Sequence, residues 1–162
     1  MAKIIESAAE RLEILNHYRR FAMVGLSSNP YRPSHFAAIY MLAEGYEVFP
    51  VNPREKEILG RTSYPSLMAL AEVDPGAVGL VDIFRQPEDV PAIVEEAIEV
   101  GARVIWMQLG VIHEAAARRA VAAGLDVVMD RCVKIEHARF FGGLNLIGLN
   151  TGVLSSRRLK LK

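Results

Sequence analysis

Gly25-Leu26-Ser27-Ser28-Asn29-Pro30-Tyr31-Arg32-Pro33-Ser34 separates a continuous apolar run, 21–24, from an amphipathic stretch that begins near Ser34. A strand that stops at a glycine, passes through hydroxyl side chains and feeds a helix start turns backbone N–H groups and a positive helix end toward an anion. The stretch therefore predicts a strand, a phosphate-binding turn and a helix in succession. Taken alone, it is also what an ordinary strand-to-helix turn of an α/β protein looks like.

Working outward, residues 3–19 put Ile4, Ala8, Leu12 and Leu15 on one helical face, with Glu6, Glu10, Arg11 and Glu13 around it. The run 20–26 is too short and too uniformly apolar for a surface helix and fits a strand buried on both faces of a parallel sheet. Beyond the turn, Phe36, Ile39, Tyr40 and Ala43 recur at helical spacing over 34–44, and Gly45 stops that helix. A second strand is expected over 46–53, with Pro50 placing a distortion or an edge there. Residues 55–65 carry turn residues without a period, and 66–71 reads as a short helix capped by Ser66. A third strand is expected over 77–84. Val90, Ile93, Val94, Ala97 and Ile98 then form an i, i+3, i+4, i+7, i+8 stripe closed by Gly101. A strand over 103–107, a helix over 112–123 stopped by Gly124 and a strand over 125–129 complete the pattern.

Five strands alternating with helices predict right-handed crossovers and an α/β fold, a doubly wound five-stranded parallel sheet of Rossmann-like type. An N-terminal helix precedes the sheet. All 162 residues read as one domain, with a core over about 20–132 and a C-terminal extension over 133–162. In such a sheet ligands sit at the carboxyl ends of the strands, so loops 25–34, 52–54, 83–86, 107–110 and 130–132 should converge. In the extension, Phe140-Phe141-Gly142-Gly143 and the apolar run through Leu149 are expected to pack on the domain or on a second copy.

Composition narrows the setting: 51% of residues are hydrophobic and 23% charged, with nineteen basic residues balancing nineteen acidic ones. That balance argues against a nucleic-acid footprint, and the basic run 157–162 reads as a solvated end. A signal-peptide pattern is missing, and no apolar run approaches the ~20 residues needed to span a bilayer. The single cysteine, Cys132, excludes an intramolecular disulfide, and no paired Cys/His spacing suggests structural zinc. A cytoplasmic protein without membrane or nucleic-acid partners is expected.

The ligand follows from two departures from the dinucleotide pattern. Gly25 is followed by Leu26, Ser27, Ser28 and Asn29, so the second and third fingerprint glycines are missing. The second strand ends in Asn52-Pro53-Arg54, where an NAD site carries an acidic residue for the ribose hydroxyls. Arg54 favours a phosphorylated ribose. Both NADP, with a 2′-phosphate, and coenzyme A, with a 3′-phosphate, satisfy that charge logic.

In order along the chain, GLSSNPYRPS, VFPVNPRE, GRTSYPSL, VDIFRQPEDV, VIWMQLG and VVMDRCVKIEH resemble the small stand-alone CoA-binding proteins. These are similar to the N-terminal CoA-binding domain of the succinyl-CoA synthetase alpha subunit. The resemblance runs over about residues 1–158 and implies coenzyme A or an acyl-CoA as the ligand. It implies that Gly25, Leu26, Ser27 and Ser28 hold the pyrophosphate with Arg32 nearby, and that Asn52, Pro53 and Arg54 line the adenosine-phosphate end. Ile83, Phe84 and Arg85 would flank the adenine. Met107, Gln108, Leu109 and Gly110 would follow the pantetheine arm, and Cys132 would fall near the thiol.

The synthetase ligates through a phosphohistidine in a further domain and with a beta subunit, and this chain has no motif matching that histidine. His17, His35, His113 and His137 lie on or beside expected helices or in the tail, and the neighbours Glu136 and His137 share no demonstrated geometry. No catalytic residue and no metal site is assigned, and a non-ligase CoA-binding module is expected. Two other readings stand beside it: an NADP-dependent reductase or CoA-transfer enzyme, and a CoA- or redox-sensing protein with its own protein partner or a second copy of itself. Cys132 reads as a small core residue or a neighbour of the bound thiol, with a mixed disulfide to CoA as a further possibility.

Overall fold

A computed structural model describes residues 1–141. The first helix, α1 (Ala8–His17), is capped by Ser7, whose hydroxyl accepts from the Glu10 N–H at 3.2 Å. It is shorter than the expected 3–19. Residues 3–5 are extended, and Ile4 bridges Val127 in parallel while the Ile5 N–H donates to the Val127 carbonyl at 2.7 Å. The unpaired edge of the last strand thus captures the segment, because an edge offers hydrogen bonds that a frayed first helical turn lacks. The buried face of α1 is Arg11, Ile14 and Leu15, not the stripe through Ala8 and Leu12.

In chain order there follow β1 (Arg20–Val24), α2 (Pro33–Ala43), β2 (Glu47–Val51), the short hairpin β3 (Glu57–Ile58) and β4 (Arg61–Thr62), and α3 (Leu67–Val73). A 3₁₀ turn, Pro75–Val78, takes up the start of the expected third strand and leaves β5 as Leu80–Ile83. Then come α4 (Val90–Glu99), β6 (Val104–Met107), α5 (Glu114–Ala122), β7 (Asp126–Val128) and α6 (Val133–Phe141). The main sheet is parallel throughout, in the order β2-β1-β5-β6-β7. Pro50 lies in the edge strand. Its carbonyl accepts from the Tyr64 N–H on the outer side, so its missing N–H falls where no neighbouring strand needs a donor.

Alternate strand residues supply two cores. Ala22, Val81, Ile83, Ile105, Met107 and Val127 meet α3, α4 and α5 on one face. Phe21, Met23, Leu80, Val104, Trp106 and Val128 meet α1, α2 and α6 on the other. The stripe through Phe36 and Ile39 is not the buried face of α2: those side chains are 54% and 48% exposed, while Ser34, His35, Ala37, Ala38 and Met41 face inward. Small alanines let α2 lie close to the sheet, and the bulkier residues are left outside.

From 133 onward the chain returns across the second face. In α6, Glu136 is buried against Arg11 of α1 at 3.1 Å, and His137 Nδ1 lies 2.9 Å from the Tyr40 hydroxyl of α2. The expectations for the Gly142-Gly143 pair, the run through Leu149 and the basic run 157–162 lie outside the described residues. Among those described, no helix is long and apolar enough to cross a membrane.

Candidate functional site

The strand registers bring Val51, Val24, Ile83 and Met107 level at one rim. After Val24 the chain turns toward β2 on one side, while the chain leaving β5, on the other side, turns away toward β6. Gly25 makes that turn at φ +88°. A Cβ built there would stand 2.3 Å from the Phe84 carbonyl oxygen and 2.9 Å from Arg85 Cδ, so only glycine fits. Its N–H donates to the Val51 carbonyl at 2.9 Å. The switch point of the sheet is therefore closed by backbone alone, and the crevice above it opens to solvent.

The loop that follows is braced by its own polar side chains. Ser34 Oγ accepts from the Ser27 N–H at 3.1 Å, Ser27 Oγ accepts from the Asn29 N–H at 3.1 Å, and Asn29 Oδ1 accepts from the Tyr31 N–H at 3.0 Å. His35, buried under the turn, places Nδ1 2.9 Å from the Ser27 carbonyl oxygen. Asn52 ties the end of β2 to this loop by donating to the Leu26 carbonyl at 3.0 Å, and its Oδ1 accepts from the Arg54 N–H at 2.9 Å. The first turn of α2 carries no side-chain cap, and Pro33 stands at its start. An uncapped helix end beside a braced loop retains its positive end for an incoming anion.

Glu55 was missed in the sequence, although it directly follows Arg54. Its carboxylate accepts from the Ser28 N–H at 3.1 Å and from the Ser28 hydroxyl. Two of the loop's donors are therefore already engaged by an anion from the β2 side. Its partner lies 27 positions earlier in the chain, which no local pattern encodes.

Of the residues expected at the site, Gly25, Ser27, Arg32, Asn52, Arg54, Phe84, Arg85, Gln108, Leu109 and Cys132 line one open cleft of about 650 Å³. Pro33, Ser34, Asp89, Val111 and Ile135 complete much of its wall. The side chains of Leu26, Ile83 and Met107 are buried in the core, which leaves only main-chain atoms for a ligand. Ser28, Pro53 and Gly110 are exposed outside the lining, and the Gly110 N–H donates to Asp130 Oδ1 at 2.7 Å. Arg32, Arg54 and Arg85 come from three separate strand ends. Arg85 pairs with Asp89 at 3.1 Å, whereas Arg32 and Arg54 are exposed and make no ion pair with a described residue.

At the far side of the cleft, Cys132 precedes α6, and burial pushes its thiol pKa up, opposed by backbone hydrogen bonds from Ile135 and Lys134. A raised pKa favours the protonated thiol over the reactive thiolate. Beneath it, Asp82 is wholly buried and its carboxyl is pushed up to about 8 by desolvation, against one hydrogen bond from Gln108. His113 caps α5 by accepting from the Ala116 N–H at 3.0 Å, and Glu136 and His137 face different partners.

The glycine-walled switch point, the uncapped helix and the ring of arginines suit an elongated, multiply phosphorylated ligand. Comparison with known proteins shows the family. The chain is 41% identical over 132 residues to the uncharacterized protein YneT of Bacillus subtilis strain 168, covering 82% of this chain and 95% of that one. A solved structure of a hypothetical protein from Pyrococcus horikoshii OT3 is 38% identical, covers 85% of this chain and 94% of its own, and superposes with a TM-score of 0.79. The apo dinucleotide-forming acetyl-coenzyme A synthetase 1 of Ca. Korarchaeum cryptofilum shares the fold: TM-score 0.61, 19% identity, 72% of this chain and 28% of the synthetase. The CoA binding domain family matches residues 19–138, which take in every strand of the main sheet and every loop at its rim, and the chain belongs to that family.

Proposed function

We propose that the cleft binds coenzyme A or an acyl-CoA as a binding module without ligase activity. The observation that carries this reading is that Arg32, Arg54 and Arg85 line one cleft together with Pro33 and Ser34 of the uncapped first turn of α2, beside a turn that excludes any Cβ. The pyrophosphate lies against the Gly25–Ser28 turn and the first turn of α2, with Arg32 beside it. Asn52, Pro53 and Arg54 receive the phosphorylated ribose. Phe84 and Arg85 flank the adenine, and the main chain at Leu26, Ile83 and Met107 contributes where the side chains are buried. The pantetheine arm passes Gln108, Leu109 and Gly110 toward Cys132. A phosphate at Ser28 displaces the Glu55 carboxylate, so binding couples the first loop to the loop after β2.

Calorimetry with CoA, acetyl-CoA, dephospho-CoA, NADP and ATP tests the assignment. CoA is expected to bind most tightly, and dephospho-CoA about tenfold more weakly because it lacks the phosphate opposite Arg54. In Arg54→Ala that difference between CoA and dephospho-CoA disappears. Tighter binding of NADP than of CoA overturns the ligand assignment, and equal affinity for CoA and dephospho-CoA overturns the role given to Arg54.

A further inference from the structure

Asp82 occupies the middle of β5, with Met23 of β1 and Trp106 of β6 as its Cα neighbours. Its side chain is fully buried. One carboxyl oxygen accepts from Gln108 Nε2, and the other, Oδ2, has no hydrogen-bond partner among the described residues. Leaving a buried polar atom unpaired is costly, and replacing the carboxyl by an apolar group would remove that cost. The position of Gln108 accounts for its presence.

Gln108 uses both ends of its carboxamide inside the protein. While Nε2 donates to Asp82, Oε1 accepts from the Val133 N–H at 3.3 Å, at the first residue of α6. The side chain is a strut from the middle of β5 to the start of α6. The same start is held by the Arg131 N–H on the Met107 carbonyl at 3.2 Å and by Trp106 Nε1 on the Arg131 carbonyl at 2.8 Å. Cys132 and Ile135, on either side of Val133, form part of the cleft wall, as does Gln108 itself. Asp82 thus stands one hydrogen bond behind the wall that the ligand meets.

We propose that Asp82 is a positioning residue of the cleft, its carboxyl fixing the Gln108 strut and, through it, the start of α6 that presents Cys132 and Ile135. This rests on the reading of the cleft as a CoA site and adds to it a control on the wall at the thiol end. A carboxyl differs from an amide in this position because it titrates. The groups against it among the described residues include neutral Gln108 from the end of β6, Met23 from β1, Trp106 from β6, and at the start of α6 the Cys132 thiol, on which Asp82 and Lys134 act in opposite senses. Among the described residues no cation is hydrogen-bonded to it. Near pH 7 the protonated carboxyl keeps the strut without burying a charge. Raising the pH through about 8 leaves a carboxylate with a single neutral donor, and solvating it requires water to enter past Gln108 and the start of α6.

Hydrogen exchange of the amides at 131–137, corrected for intrinsic rates, and CoA affinity are measured at pH 7 and pH 9 for the wild type and Asp82→Asn. In the wild type, exchange is expected to accelerate about tenfold and CoA affinity to fall by a similar factor between the two pH values. In Asp82→Asn both pH ratios collapse toward one, whatever its affinity at pH 7. Titration of CoA is common to the two proteins and cancels in the comparison, and because Asp82 acts on the Cys132 thiol both are measured in a Cys132→Ser background. Gln108→Met, which severs the strut, is expected to show the faster exchange already at pH 7. Equal pH ratios in the wild type and Asp82→Asn, or unaltered exchange in Gln108→Met, overturn the proposal. If CoA fails to bind at either pH, the functional reading falls, while the exchange data still judge the strut.

Discussion

At Gly25 two constraints coincide, each sufficient to demand glycine. The φ of +88° lies where other residues are strained, and the built Cβ contact with the Phe84 carbonyl, at 2.3 Å, involves backbone that cannot rotate away. Gly25→Ala must therefore part β1 from β5 at their carboxyl ends or rebuild the turn. We expect a loss of about 2–4 kcal/mol in denaturant unfolding, with CoA binding falling below detection in whatever fraction remains folded. Retention of both stability and binding would show that the turn is not held as described. The sequence exposed this position because a glycine at the end of an apolar run is a local signal. Asp82 and Glu55 gave none: a carboxylate inside a strand pattern carries no mark of burial, and Glu55 acquires its meaning only from Ser28, 27 positions away.

Among the elements, those whose pattern is local were legible and those chosen by competition were not. The stripe of α4 predicts the buried Val90, Val94 and Ala97, and the strands are apolar runs bounded by turn residues. In α2, by contrast, apolar residues surround the helix, and the spacing of Phe36, Ile39 and Tyr40 pointed to a face that close packing of Ala37 and Ala38 overrules. The β3–β4 hairpin turns through Leu59 and Gly60 at φ 54° and 72°, without the Asn-Gly or Asp-Gly pair that usually marks such a turn. The start of α1 is lost to the edge of β7, a partner more than a hundred residues away. The clearest long-range element is α6, held by Glu136 buried between Arg11 at 3.1 Å and Arg139 at 3.8 Å. Glu136→Gln leaves two buried guanidinium groups without a counter-charge. A loss of about 3–5 kcal/mol in denaturant unfolding is expected, far beyond that of an exposed pair. Replacing Arg11, Glu136 and Arg139 together by apolar residues of similar volume should recover most of it, and failure to recover would mean that packing rather than charge holds the helix.

For the whole molecule, the buried carboxyl at Asp82 leaves a signature in the dependence of stability on pH. Its folded pKa of about 8 lies above the unfolded value near 3.9, so between those limits the folded state keeps a proton that the unfolded state has released. Its contribution to stability is therefore fully present below about pH 4, declines as pH rises, and is lost once pH passes the folded pKa near 8. At one pKa unit per 1.36 kcal/mol, the loss accumulated by pH 7 is on the order of 4 kcal/mol. Asp82→Asn has no proton to release. Relative to the wild type it should gain stability steadily from pH 4 to pH 8 and hold a constant advantage above, as read from urea unfolding across that range. A difference between the two proteins that is flat with pH would place the native carboxyl near its ordinary value and remove the physical basis for its titration in the cleft. A rising difference joined to a lost pH response in CoA binding would mean that the fold carries at Asp82 a group it is more stable without, in exchange for control of a cleft wall.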